Sequence, residues 1–341
     1  MHLISIKIAI NLGIFESLRL QTAAEGYARL EAMALGLDKP EELLGRILRH
    51  LAAWDTVRDI GINQFAATPT SNAFLDAGVA SGPEFWIHLS SVGMRNLPSY
   101  LREHSYSNLG TPSKGNFENA DRKGPHFFEW LIEEPTAFQA HTDHLDAFTR
   151  DRTGWLDIYP AHERLSADGE SHHSLLADIG GGLGRDALMF RRRFPNMAGA
   201  VIVQDFPEVI ADAFKVLPPD SGLVLQAADF FEPQSVQGAE IYLLHYILHD
   251  WADIDCLRIL QSTKVAMRKN HSRLLIVESI IASEKADAFS TALGITIMSM
   301  VGSRERTEND WRELIAVSGL HIEAIYTSVG NGDCVIEVAV K

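Results

Sequence analysis

The chain has 341 residues, 46% of them hydrophobic and 22% charged, with 30 Lys and Arg against 45 Asp and Glu and a net charge of −15. That is too long for one typical domain, comfortable for two, and the composition of an ordinary globular protein. No run of 18 or more uninterrupted apolar residues occurs, which excludes a membrane-spanning helix, and the acidic balance repels phosphate backbones, which argues against nucleic acid as a partner.

The opening MHLISIKIAINLGIFESL has no basic start and no small-residue cleavage site, and its apolar residues recur at helical spacing. It is expected to be a buried amphipathic helix rather than a signal peptide. Leu3, Ile4, Ile6, Ile8, Ile10, Leu12 and Ile14 make it apolar on more than one face, and such a helix needs cover all round. Residues 1–90 have the order of a winged helix. Pro40 opens a helix with Leu43, Leu44, Ile47, Leu48 and Leu51 on one stripe, and TVRDI and QFAAT then flank a turn containing Gly61. A winged helix invites a DNA-binding reading, but this segment carries seven Lys and Arg against ten Asp and Glu. Packing or dimerisation is the better expectation.

Residues 91–170 are expected to be a helical linker and pocket region. Phe127, Trp130, Phe138, Trp155 and Tyr159 could wall a substrate pocket, although such residues more often form core. The stretch SYSNLGTPSKGNFENADRKG, with its Gly, Pro, Ser and Asn, is expected to be a loop.

From residue 171 the pattern changes. LLADIG, AVIVQD, LVLQAAD, EIYLLHYI and RLLIVES are continuous apolar runs of strand length, with helical segments between most of them. Strands of that kind belong to a parallel sheet covered on both faces. HIEAIYTSV and DCVIEVAV follow a helix beginning near Thr307, joined by Gly330-Asn331-Gly332-Asp333, a hairpin signal. The fold class is therefore α/β, a mostly parallel Rossmann-like sheet ending in an antiparallel hairpin, behind a helical N-terminal domain. Cys256 and Cys334 lie in apolar patterns, which points to a reducing, cytoplasmic compartment, with no disulfide framework and no cysteine-rich metal site.

The densest motif is Asp178-Ile179-Gly180-Gly181-Gly182-Leu183-Gly184, at the end of the first of these strands. Its glycines allow a tight strand-to-helix turn and close approach of a ligand to bare backbone. A dinucleotide fingerprint counted from Gly180 would put its last glycine at Arg185, so the pattern disfavours NAD and suits a ligand without a pyrophosphate. A glycine-rich turn by itself can be purely structural; its surroundings give it weight. The second strand ends in Asp205, 25 residues beyond Gly180, where a carboxylate can accept both ribose hydroxyls of an adenosine. The third ends in Asp229-Phe230-Phe231, an acceptor for an exocyclic amine beside aromatic surface for an adenine ring. The fourth runs through His245 into His249, expected at its carboxyl end, where an imidazole can take a proton from an attacking hydroxyl. Glu278, at the end of the fifth, and Glu305, two residues before a capping-box start at Thr307, are the carboxylates that could orient it.

These segments resemble the plant and fungal small-molecule O-methyltransferases, and the fungal branch in particular. The resemblance is carried by DIGGGLGRDALMFRRRFP, VIVQDFPEVI, ILHDWADIDCLRIL, LLIVES and SRERTENDWREL, and covers nearly the whole chain. It implies a winged-helix-like dimerisation domain over residues 1–90, a methyltransferase domain over residues 171–341 and a homodimer. It implies S-adenosyl-L-methionine as cofactor, its methionine end held by Gly180 and neighbours such as Asp178 and Gly182, its ribose by Asp205 and its adenine by Asp229 and Phe230. It implies His249 as general base, flanked by Glu278 and Glu305, acting on a phenolic or enolic hydroxyl of a small secondary metabolite, with no metal. Three departures stand out. The chain starts directly in its first helix, so the longer arm of the family's intertwined dimer is expected to be missing. His245 occupies a position near the cofactor where relatives usually carry Lys or Arg. Gly294 stands where many fungal relatives have Asp. A cyclase or pericyclase that keeps the cofactor without transferring methyl is the competing enzyme; a DNA-binding regulator is the competing non-enzyme.

Overall fold

In the first 75 residues, local chemistry marks several of the helix boundaries. The computed structural model describes residues 1–106, 116, 127–150, 153–165, 174–327 and 333–341. The opening segment is two helices rather than one: α1 (His2–Asn11) and α2 (Ile14–Glu25) are separated at Gly13, whose φ of 69° is the left-handed conformation that glycine tolerates. Ile6 and Ala9 of α1 are buried, whereas Ile4 and Ile8 are 43% and 37% exposed. The expected burial of the whole segment therefore holds for one face of it. After β1 (Ala28–Arg29) and α3 (Leu30–Leu37) comes α4 (Glu41–Ala52), with Glu41 and Glu42 in its first turn and Arg49 and His50 in its last, as the helix dipole favours. Leu44, Ile47, Leu48 and Leu51 are buried as expected, and Leu43 is exposed because it falls off the edge of the stripe. Strands β2 (Arg58–Gly61) and β3 (Gln64–Ala66) pair antiparallel, and β3 also pairs with β1, giving a three-stranded sheet. Three further helices follow: α5 (Pro69–Ala73), capped reciprocally by Thr68 and Ser71, α6 (Ala77–Glu103) and, later, α7 (Phe127–Glu133); then comes α8 (Pro135–Arg150).

The chain divides into two compact units, Met1–Arg95 with Phe128–Arg152, and Asn96–Phe127 with Thr153–Lys341. The 91–170 region is thus shared between them. The loop expected over residues 105–124 lies almost wholly outside the described residues, as does the turn Gly330-Asn331-Gly332.

The longer stretch of the second unit, Thr153–Lys341, begins with two short helices, α9 (Trp155–Ile158) and α10 (Ala161–Arg164), which place Trp155 and Tyr159, each 1% exposed, in the core. There follow β4 (Ser174–Ile179), α11 (Arg185–Arg193), β5 (Ala200–Asp205), α12 (Pro207–Val216), β6 (Leu223–Ala227) and β7 (Ile241–His245). A one-turn 3-10 helix, Leu248–Asp250, leads to α13 (Asp253–Ala266), β8 (Arg273–Ile281), α14 (Ala288–Val301), β9 (Arg306–Thr307), α15 (Glu308–Val317), β10 (Leu320–Thr327) and β11 (Asp333–Val340). The sheet runs β6-β5-β4-β7-β8-β11-β10, with β9 paired to β8. Its first five strands are parallel, and β11 is inserted antiparallel between β8 and β10. The inner residues of β4, β7 and β8 are buried on both faces, as a sheet covered by helices on each side requires. This is a Rossmann-like fold whose strand order reverses between β4 and β7, where an open α/β sheet leaves its ligand crevice.

Candidate active site

The turn after β4 is built by backbone chemistry that glycine alone supplies. Gly180 has φ of 70°, and a Cβ there would stand 2.5 Å from Ile247 Cδ1; Gly182 has φ of 56° and open space on its Cβ side. The amides of Gly180 and Gly181 both donate to Gln204 O, and Gly182 N–H donates to Asp205 Oδ2 at 2.8 Å. Asp205, the last residue of β5, also accepts from Phe206 N–H through Oδ1 at 2.8 Å. Burial raises its pKa, and those two amide hydrogen bonds pull against the rise. Each oxygen keeps a second lone pair, so the carboxylate is fixed and still able to accept.

Beneath the turn lies Asp178, 1% exposed, with Oδ2 buried and lacking a partner. Burial first, and the neighbouring Asp186 charge second, hold its carboxyl well above the usual range. Asp186, in the first turn of α11, accepts from His245 Nδ1 at 2.7 Å, and against the effect of burial the imidazole pulls its carboxyl below the usual range. Burial opposes the charge on His245, yet the Asp186 carboxylate, Glu278 and Asp178 raise its pKa on balance.

The expected third strand ends at Ala227, two residues short of Asp229. Asp229 Oδ1 instead caps Phe231 N–H at 2.8 Å, and Phe230 and Phe231 each pack edge-on against Trp251. A cavity of about 220 Å³ is lined here by Gly180, Gln204, Asp229, Phe230 and Gln234 among others; His249 is not on its wall.

His249 sits on the 3-10 turn four residues beyond the end of β7, not at the strand end itself. The change of direction is made at Tyr246, whose φ of 52° is left-handed. The Tyr246 ring stacks on the imidazole at 5.3 Å and its hydroxyl donates to Asp333. Glu278 lies within β8, three residues before its end, because the strand continues to pair with β9 through Ile280 and Ile281. That pairing brings Glu305, next to β9, to the same place. The three sequence-derived residues converge: His249 Nδ1 is 2.9 Å from Glu305 Oε1 and 3.6 Å from Glu278 Oε2. Glu278 Oε1 accepts from the backbone N–H groups of Leu248 and His249 at 2.9 and 3.2 Å, so this acid holds the turn as well as facing the ring.

The electrostatics are extreme. Burial disfavours imidazolium, but Glu278, Asp250 and Glu305 outweigh it and raise His249 to about 10. Burial lifts Glu278 to about 7, against the pull of His249, and lifts Asp250, with Oδ1 3.7 Å from His249 Nε2, to about 6. One histidine and two carboxylates within reach of a common point would also suit a divalent cation. With Nδ1 engaged by Glu305, Nε2 is the ring nitrogen left to serve a second partner.

Asp186, Asp250 and Tyr246 were not anticipated from the sequence. Asp186 had a signal, an acid in the first turn of the helix that follows the glycine turn. Asp250 and Tyr246 had only their nearness to His249, which by itself says nothing of which way a side chain faces.

An O-methyltransferase domain model matches residues 164–321. The demethylsterigmatocystin 6-O-methyltransferase of Aspergillus flavus is 31% identical over 316 residues, 93% of this chain and 79% of that one. Among solved structures, LepI in complex with S-adenosyl-L-methionine and a structure described as a pericyclic reaction enzyme each superpose with a TM-score of 0.89 at 29% identity, covering 99% of this chain and 86% of theirs. OxaC in complex with sinefungin and meleagrin gives 0.85 at 26% identity, covering 100% and 85%.

Proposed function

Because the chain belongs to the family of S-adenosyl-L-methionine-dependent O-methyltransferases, we propose that it methylates a phenolic or enolic hydroxyl of a fungal secondary metabolite, with His249 as general base. The observation that carries this reading is the convergence of Glu278 and Glu305 on a buried imidazole one turn beyond the glycine crevice.

The crevice fits the cofactor: an open backbone face at Gly182, a fixed Asp205 carboxylate, the unpartnered Asp178 Oδ2 and the Asp229–Phe230 wall. Asp178, Gly180 and Gly182 would hold its methionine end, Asp205 its ribose, and Asp229 with Phe230 its adenine. His245, whose charged form Asp186 favours, would face its carboxylate. When bound, it supplies a methyl group on a cationic sulfur. The protein's own part is to align the acceptor oxygen and to make it nucleophilic. Glu305 holds the Nδ1 proton, so Nε2 of His249 takes the proton of the hydroxyl. A conjugate acid near 10 matches a phenol near 10, so the proton passes between partners of similar basicity. Glu278 and Glu305 then balance the imidazolium.

A second reading draws on the likeness to the structure described as a pericyclic reaction enzyme: a pericyclase that keeps its cofactor unchanged. Incubation with S-adenosyl-L-methionine and a panel of phenols and enols separates the two. Methylated product formed one-for-one with S-adenosylhomocysteine supports transfer. A rearranged acceptor with the cofactor unconsumed supports the pericyclase. We also read the protein as a homodimer, on the apolar face that Ile4 and Ile8 leave exposed on α1; a monomer mass by light scattering with full activity overturns that. No described helix is long and apolar enough to cross a membrane.

A further inference from the structure

A 3-10 helix of one turn cannot hold itself in place. Its internal bonds, Asp250 N–H to Ile247 O and Trp251 N–H to Leu248 O, are both 3.2 Å, and so short an element stands only if its surroundings fix it. Glu278 fixes the amide side. On the carbonyl side the Ser303 hydroxyl and the Cys256 thiol also donate, but the charged donor is Arg306, a side chain only 1% exposed that the proposed chemistry does not use. Its Nη1 donates to Leu248 O at 2.7 Å and its Nη2 to Trp251 O at 2.8 Å, the carbonyls that bracket His249. Asp253 Oδ1 receives Nε and Nη2 at 3.0 and 2.7 Å and aims the fork, and the guanidinium lies over the Trp311 ring at 5.2 Å. Glu305 and Arg306 are consecutive, so the pairing of β9 with β8 fixes both at once. One reaches the ring of His249 and the other the carbonyls of Leu248 and Trp251 on either side of it.

We infer that Arg306 is a positioning residue for the proposed transfer, its guanidinium fixing the His249 turn by the carbonyls on either side so that the imidazole meets Glu305. This rests on His249 acting as the base. Simple burial of a charge does not account for the arrangement, since an apolar side chain of similar volume often replaces a buried ion at little cost. What it cannot replace is a rigid planar fork that reaches two carbonyls and a carboxylate together. The same positive charge favours the ionised form of Glu278 and so, at one remove, the proton on His249.

The test uses the full chain with ring-15N-labelled histidine. The His249 Nδ1–H resonance is assigned by its loss in His249→Ala and followed against pH, with calorimetric titration of S-adenosylhomocysteine alongside. Arg306→Lys keeps the charge and loses the fork. It is expected to broaden that resonance beyond detection and lower its titration midpoint by about one pH unit, while affinity for S-adenosylhomocysteine changes less than about threefold. On any hydroxyl acceptor that the unaltered protein methylates, kcat falls about 10²-fold with the cofactor KM unchanged. Asp253→Asn, at a half-exposed carboxylate, loosens the same fork and gives the same changes in smaller measure; it decides the matter should Arg306→Lys not fold. Wild-type resonance, midpoint and kcat in a folded variant, with His249→Ala inactive, overturn the inference and leave the base assignment standing. Loss of S-adenosylhomocysteine binding as large as the loss of kcat also overturns it, because Arg306 would then serve the fold at large. Wild-type turnover in His249→Ala removes the base reading and the inference with it.

Discussion

The two compact units bury different chemistry. Among the described residues, the first unit buries Thr56 and Ser71 as its polar side chains and no charged one, while the second buries Asp178, Glu240, His249, Glu278, Glu305, Arg306, Asp333 and Glu337. Its partner's core of Ile14, Leu18, Met33, Leu44, Leu48 and Phe65 is of the kind any small helical unit makes. Buried ionisable groups cost several kcal/mol each unless paired, and they gather where the pKa of a group matters. Apolar burial in the first unit therefore serves stability; in the second, the buried His249, Glu278, Glu305 and Arg306 gather at the proposed site, while Glu337 pairs with Arg273 in the sheet.

The largest expected effect is on turnover. His249→Ala should lower kcat by roughly 10²–10⁴-fold, the usual contribution of a positioned base, with S-adenosylhomocysteine affinity by calorimetry unchanged within about threefold. Wild-type turnover would strip the buried cluster of its role.

Next comes the opposite experiment in the other unit. Leu48 is fully buried, so Leu48→Ala should cost about 2–5 kcal/mol of unfolding free energy in denaturant titration. Cofactor affinity at temperatures well below the transition should not move. A loss of affinity in the folded variant would mean that the first unit's core reaches the crevice energetically, and the division fails.

Asp205→Ala removes a carboxylate whose backbone partners also shape the glycine turn. Affinity for S-adenosyl-L-methionine should weaken about 10–100-fold by calorimetry, the worth of hydrogen bonds to a charged acceptor.

The smallest effect is the most discriminating. A base acts in its neutral form, and His249, raised to about 10, is protonated at neutral pH. In the free enzyme the acid limb of kcat/KM should therefore keep rising above pH 7 and level off toward pH 10, where an ordinary histidine would level off near 7. For stability the sign is the reverse: a group raised in the folded state stabilises below its unfolded value near 6.5, and that contribution fades as pH climbs toward 10. Glu305→Gln removes one charge while leaving an amide to orient Nδ1, so the limb should move to lower pH and kcat should fall only several-fold. A plateau at pH 7 in both proteins would mean that the carboxylates do not act on His249.

Much of this was legible in the sequence, for reasons that are local. Continuous apolar runs declare strands buried on two faces, and the glycines at 180, 182 and 184 declare a turn that other residues resist. Thr307 and Asp310 declare a helix start that the structure realises as a reciprocal cap. The strand-end acid Asp205 was readable because the carboxyl ends of parallel strands converge on one crevice, and His249, Glu278 and Glu305 were readable as ionisable residues beside expected strand and helix ends. Tertiary structure alone decided the rest. Only the pairing of β8 with β9 carries the strand past Glu278, its expected end, and sets Glu305 and Arg306 beside it. Only the left-handed Tyr246 swings His249 off the strand and under an aromatic ring. The titration of His249 likewise follows from distances to Glu278, Asp250 and Glu305. A charge interaction depends on separation and burial, and a linear order of residues specifies neither.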